Sequence, residues 1–301
     1  MTLRTIAISN FRCIEQTDLE LDVRTTLIVG PNASGKTSLL EALFFLGRGR
    51  SFRTRRLANL IRKGSAEFQA VGRLFEGGLD TVAGVRGSNE GVEARLAGRP
   101  VSSIGELARH FAPQVIDPEV HRLLEEGPAR RRRFVDWGVF HVEHGFLDVW
   151  QRYQRALRQR NAALRQNLSD AAVDLWNADL LAAGTLLTDM RRRYLDRLSE
   201  PLREIGAALG LSPELRLEAG WDSEQTFEVA LDRARSRDRR LRATQTGPHR
   251  ADITVMVAGE RAKERRHRDL QEEGTLLRQH ASCLHDSRLN PWRARVADEP
   301  A

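Results

Sequence analysis

The segment Gly30-Pro-Asn-Ala-Ser-Gly-Lys-Thr37 reads GxxxxGK(S/T) without a gap, and it constrains this chain more than any other stretch. Ahead of it, residues 25–29 are continuously β-branched or apolar, the pattern of a buried strand. After it, Leu39, Leu40, Leu43, Phe44 and Leu46 recur at helical spacing, with Gly47 in the position of a C-cap. A glycine-rich turn between a strand and a helix lets main-chain N–H groups curl around phosphate oxygens, and the helix N-terminus adds partial positive charge. In such a loop Lys36 bridges terminal phosphates and Thr37 offers its hydroxyl to Mg²⁺. Only three lysines (Lys36, Lys63 and Lys263) stand among 48 basic residues, so composition alone does not supply one here. The expectation is a nucleotide-phosphate site in an α/β fold.

Elsewhere the pattern is mixed. Residues 3–9 and 19–22 read as strands on either side of a turn at 10–12, and residues 67–85 as antiparallel strands joined at Gly77-Gly78. Trp150, Tyr153, Leu157, Leu164 and Leu168 recur at helical spacing, as do Leu187, Met190, Tyr194, Leu198, Leu202 and Ile205. Two packed helices are the simplest outcome. Arg160 and Asn167 interrupt any strict heptad seam, which predicts a short arm and not a long coiled coil. Strands resume at 215–217, 227–231 and 252–257, so the helical section reads as an insertion into a β-containing domain.

A chain of 301 residues, 41% hydrophobic and 30% charged, is long enough for a real core and carries no apolar run that spans a bilayer. Its formal net charge of +7 favours polyanionic partners such as nucleic acid. Two distant cysteines, Cys13 and Cys283, give neither a disulfide framework nor a zinc ribbon and fit a reducing cytoplasm. Residues 1–22 lack the pattern of a secretory signal. His141-Val-Glu-His144 is not HExxH and has no evident third ligand, and no nucleophilic triad can be argued. A metabolic kinase or GTPase would keep the phosphate loop, but the NKxD base-reading motif of a GTPase is missing.

Several further segments stand in colinear order. They are Ile6-Ala-Ile-Ser-Asn-Phe-Arg12, Gly47-Arg-Gly-Arg-Ser-Phe-Arg53, Gln114-Val-Ile-Asp-Pro-Glu119, Arg131-Arg-Arg-Phe-Val-Asp-Trp137, Gln159-Arg-Asn-Ala-Ala-Leu164 and Thr246-Gly-Pro-His-Arg-Ala-Asp252. Together with the phosphate loop they resemble the RecF family, in the SMC-like branch of ABC-type ATPases, over about residues 1–263. The resemblance implies an ATPase head lobe whose N-terminal portion covers 1–115, an inserted helical arm lobe (116–240), a return strand to the head (241–262) and an atypical tail (263–301). It also implies binding of ATP and Mg²⁺, ATP-dependent homodimerisation, binding to double-stranded, gapped DNA, and cooperation with RecO- and RecR-type mediators in replication, repair, recombination and the SOS response.

Carried over residue by residue, the resemblance makes Gly30, Pro31, Asn32, Ala33, Ser34, Gly35, Lys36, Thr37 and Ser38 the cofactor-binding loop. Thr37 becomes the metal contact, Arg12 a basic residue approaching the phosphates, and Gln114 the Q-loop glutamine that senses the terminal phosphate. His249 is assigned a structural or interfacial role. The family's serine-arginine-glycine-glutamine signature and Walker B strand are not found after Ala262, which makes the C-terminal portion of the head incomplete and the chain apparently truncated or frame-shifted near residue 263. A nucleotide- and DNA-binding module without hydrolysis is therefore the alternative to an ATPase. The arginine-dense stretches 48–56 and 130–133 either contact DNA phosphates or pair with acids.

Overall fold

Leu3, Ile6, Ile8 and Phe11 are buried along β1 (Thr2–Phe11). The register against the neighbouring strand shifts between Leu3 and Thr5, an irregularity that lets Leu3 and Ile6 share a core despite a spacing of three. The computed structural model describes residues 2–101, 103–116 and 122–262, which fall into two units divided at residue 116. The tail 263–301, where the family's signature and Walker B motifs belong, lies outside the described residues, as do 117–121.

In the first unit, β1 is followed by β2 (Ile14–Glu20), β3 (Glu67–Glu76), β4 (Leu79–Ser88), β5 (Gly91–Leu96) and β6 (Arg99–Pro100). They form one sheet in the order β2-β1-β3-β4-β5-β6, and each of its ladders is antiparallel. Gly77 and Gly78, both at positive φ, make the expected two-residue hairpin. Helix α1 (Lys36–Arg48) lays Leu39, Ala42, Phe45 and Leu46 on the sheet, and α2 (Ile104–His110) packs beside it. Phe68 meets Phe11 and Phe45 edge-on at ring separations of 4.9 and 5.0 Å, and all three rings are buried. The close approach of α1 to β3 needs Gly72, where a Cβ would lie 2.6 Å from both Leu3 and Leu46.

Two expectations about this unit are corrected. Residues 25–29 form no strand, and Leu27 and Val29 are 67% and 77% exposed. A continuous apolar run becomes a buried strand only between sheet neighbours, and among the described residues none pairs with it. The cap of α1 is Gly49 and not Gly47: Gly49 adopts φ 58° and donates its N–H to the Phe45 carbonyl. Gly47 is instead a contact residue, with Phe111 and Pro113 too close to admit a Cβ.

The second unit contains α3 (Arg122–Glu125), α4 (Pro128–Val142), α5 (Phe146–Arg165), α6 (Asp170–Asp174), α7 (Asn177–Ala208), β7 (Pro213–Glu218), α8 (Phe227–Arg233), α9 (Arg235–Leu241), β8 (Asp252–Val257) and β9 (Glu260–Arg261). As the stripes predict, α5 packs on α7 through Tyr153, Leu157, Leu180 and Leu187, although Trp150, Leu168 and Ile205 stay partly or largely exposed. The segment 241–262, read as a return to the head lobe, clusters here with the helices, and β8 pairs antiparallel with β7. Residues 227–231 are helical, against expectation. Thr226 caps α8 by accepting from the Val229 N–H, and the buried set Phe227, Ala230, Leu231 follows helical spacing and not alternation.

Candidate nucleotide site

Gly35, at φ 97°, stands immediately before α1 and turns the chain into the helix. Gly30 (φ 155°) and Ala33 (φ 67°) are also at positive φ, so the loop alternates handedness in the way that makes successive N–H groups converge. Ser34 N–H closes the turn onto the Pro31 carbonyl at 3.3 Å. The first-turn amides of Lys36, Thr37 and Ser38 have no backbone carbonyl partner among the described residues, as a helix start dictates. The cradle therefore presents free donors at the positive end of a 13-residue helix.

Lys36 curls back over this cradle. Its ammonium donates to the Gly30 carbonyl at 2.6 Å and to the Pro31 carbonyl at 2.7 Å, which leaves its third proton for a ligand. Pro31, Asn32, Ala33, Ser34 and Thr37 are exposed, and Ser38 is buried with its hydroxyl 3.4 Å from Cys13 Sγ. That contact seats the β1–β2 turn beside the loop. Arg12, at the tip of this turn with φ 54°, donates its own N–H to the Leu60 carbonyl at 2.7 Å.

The Arg12 guanidinium pairs bidentately with Glu41 on α1, with Nη2 2.8 Å from Oε1. Glu41 is fully buried and is also met by the Ser51 hydroxyl, with Arg53 3.6 Å away. Sequence reasoning does not single out Glu41. Its signal is a lone acid among Leu39, Leu40 and Leu43, a position that an amphipathic helix gives to a carboxylate only if a cation meets it. Gln114 is not brought to the loop. Its neighbour Pro113 packs at Gly47, at the far end of α1 from Lys36. Among the described residues there is no cluster of three His, Cys, Asp or Glu side chains that would hold a metal, which leaves the Thr37 hydroxyl as the candidate cation contact of the loop.

The second unit gathers residues from three of the colinear segments. Arg131 takes both oxygens of Asp252 at 2.7 and 2.9 Å, Arg132 donates to the Ala251 carbonyl, and Arg191 donates to the Pro248 carbonyl. Buried Arg160 donates to Asp238 and to Thr244, both at 2.7 Å. His249 sits between the Tyr153 hydroxyl at Nδ1 (2.6 Å) and the Thr244 carbonyl at Nε2 (2.9 Å). A carbonyl only accepts, so Nε2 carries the proton and Nδ1 receives the tyrosine's. Burial holds the imidazole neutral, with its pKa pushed down to about 4, and lifts that of Tyr153 above the usual phenol range. His249 is thus held by two hydrogen bonds within the second unit.

Residues 2–77 match the family described as RecF/RecN/SMC N terminal domain. Over 265 residues the chain is 38% identical to DNA replication and repair protein RecF of Yersinia pseudotuberculosis, covering 86% of this chain and 73% of that protein. The protein of the same name from Hydrogenovibrio crunogenus is 35% identical over 301 residues, with 98% and 83% covered. A solved structure of the recombination mediator protein RecF-ATP in the RecFOR pathway superposes with a TM-score of 0.80 at 24% identity, covering 91% of this chain and 78% of that one. The fold is shared with it.

Proposed function

The chain belongs to the RecF family of DNA replication and repair proteins, and we propose that it is a cytoplasmic, ATP-dependent DNA-binding protein of recombinational gap repair. The observation that carries the nucleotide assignment is Lys36 anchored on the Gly30 and Pro31 carbonyls above free first-turn amides. A triphosphate entering there replaces solvent on the N–H groups of Gly35 to Ser38, and Lys36 turns its remaining proton to the terminal phosphate. Thr37 Oγ would be the loop's ligand for a cation that accompanies the nucleotide. A Mg²⁺ ion, when bound, neutralises the phosphate oxygens. Glu41 holds Arg12 on the turn after β1, and Arg12 is the basic residue that would approach the phosphates from there.

Double-stranded, gapped DNA, a second copy of the chain and RecO- and RecR-type mediators are the partners this reading implies. Among the described residues no helix is long and apolar enough to cross a membrane. The second reading, nucleotide binding without turnover, is favoured by one observation. The carboxylate of Glu41 is buried and engaged by Arg12 and Ser51, so it is not free to activate water. Calorimetry with magnesium-ATP tests binding. Heat lost in Lys36→Ala supports the site, and no heat from the folded wild-type chain removes it. Phosphate release with and without duplex DNA then separates the two readings.

A further inference from the structure

The second unit contains an open cleft of about 240 Å³ between α4, α5, α7 and the Gly-Pro-His segment. Its polar wall includes Arg132, Arg133 and Asp136 from α4, Tyr153 and Gln154 from α5, Arg191 from α7, and His249. Elsewhere in this unit four arginines are paired with carboxylates: Arg131 with Asp252, Arg160 with Asp238, Arg193 with Glu143 and Arg239 with Asp170. In the cleft the balance is different. Its one carboxylate, Asp136, is taken on both oxygens by Arg191 at 2.7 and 2.9 Å.

Arg132 and Arg133 have no carboxylate within 4.0 Å among the described residues. Arg132 donates to the Ala251 carbonyl at 2.6 Å, and Arg133 to the Ala129 carbonyl at 3.2 Å. Each guanidinium has five N–H donors, so most of theirs are left for solvent or a ligand. His249 is neutral and saturated at both nitrogens, and therefore supplies neither counter-charge nor a competing cation. Three arginines against one aspartate leave the wall two positive charges in excess. Burial first, and then the nearby Arg191, press the Arg132 pKa downward against the opposing pull of Asp136 and Asp252.

We propose that this cleft seats one phosphate group of a DNA backbone, gripped by Arg132 and Arg133. A tetrahedral oxyanion offers several acceptors to two planar forks, and the cleft has room for it together with waters of about 30 Å³ each. The assignment of the phosphate to DNA rests on the DNA-binding reading above.

The test uses the full chain with Arg133→Gln, Arg133→Lys and Arg132→Gln. Arg133 makes only a local bond within its own helix, so its variants keep the fold, whereas Arg132→Gln also loses the bond to Ala251. Inorganic phosphate, compared with chloride at matched ionic strength, raises the Tm of the wild type and Arg133→Lys but not of Arg133→Gln. Labelled gapped duplex binds Arg133→Gln about tenfold more weakly, and the slope of log K against log salt falls by about one. Phosphate stabilisation that survives in Arg133→Gln overturns the proposal. So does wild-type DNA binding that Arg133→Gln leaves unchanged in affinity and slope, which would make free phosphate or an acidic protein segment the occupant. A wild type that fails to bind the duplex at all instead removes the DNA-binding reading, and with it the DNA source of the phosphate.

Discussion

Arg12 and Glu41 form a bidentate pair in which the carboxylate is fully buried while the arginine side chain is 20% exposed. This asymmetry predicts unequal costs. Arg12→Ala strands a buried carboxylate with only Ser51 and the more distant Arg53, and the loss is about 3 kcal/mol. Glu41→Gln leaves an arginine that water reaches, at a cost of about 1–2 kcal/mol. Urea unfolding of the two variants checks the order, and equal midpoints would contradict it.

Gly35→Ala places a side chain at φ 97° with its Cβ 3.3 Å from Cys13 Sγ. Strain of about 1–3 kcal/mol falls on the turn that aims the first-turn amides. Magnesium-ATP affinity therefore drops about tenfold or more while the far-ultraviolet circular dichroism stays native. Unchanged affinity in calorimetry would show that the phosphate does not use this turn.

Arg160 and Asp238 are both buried and joined at 2.7 Å in the second unit. Arg160→Met leaves the Asp238 carboxylate with the Gln245 backbone amide as its remaining donor across the turn, and stability falls by about 3–5 kcal/mol. Replacing both residues, as Arg160→Met with Asp238→Leu, recovers some of the loss because no charge is then stranded. A double-mutant cycle from chemical denaturation measures the coupling.

His249 ties folding to pH. Its folded-state pKa of about 4 lies below the ordinary 6.5, so the unfolded chain binds the extra proton between those values. The neutral ring's contribution is complete above about pH 6.5 and is lost as pH falls toward about 4, up to about 3 kcal/mol. Denaturation from pH 7 to 4.5 should show a slope that flattens in His249→Gln. The same slope in both proteins would assign it to other groups.

The phosphate loop and α1 are legible in the sequence because both signals are local: a fixed order of residue types, then a long apolar period. Gly77-Gly78 is legible for the same reason. Residues 25–29 mislead because a run such as Thr-Thr-Leu-Ile-Val describes what a strand would bury, not whether a neighbour exists to bury it. Residues 227–231 mislead because the alternation Phe227, Val229, Leu231 competes with the spacing Phe227, Ala230, Leu231, and the cap at Thr226 decides for helix. Gly47 and Gly49 look alike as caps in sequence, but only Gly49 takes the left-handed conformation, while Phe111 and Pro113 close on Gly47 inside the helix. Arg12 for Glu41, Asp238 for Arg160 and Tyr153 for His249 sit 29, 78 and 96 positions away, beyond the reach of any window.

The arginine run in α4 shows how a helix disperses what a sequence concentrates. Successive positions point about 100° apart, so four adjacent arginines serve four destinations: Glu126, Asp252, the Ala251 carbonyl and the open cleft. A block replacement of the run would detach α4 from β8 and strip the cleft in a single step, and any phenotype would be a composite. Only single-site exchange can tell a fastener from a contact.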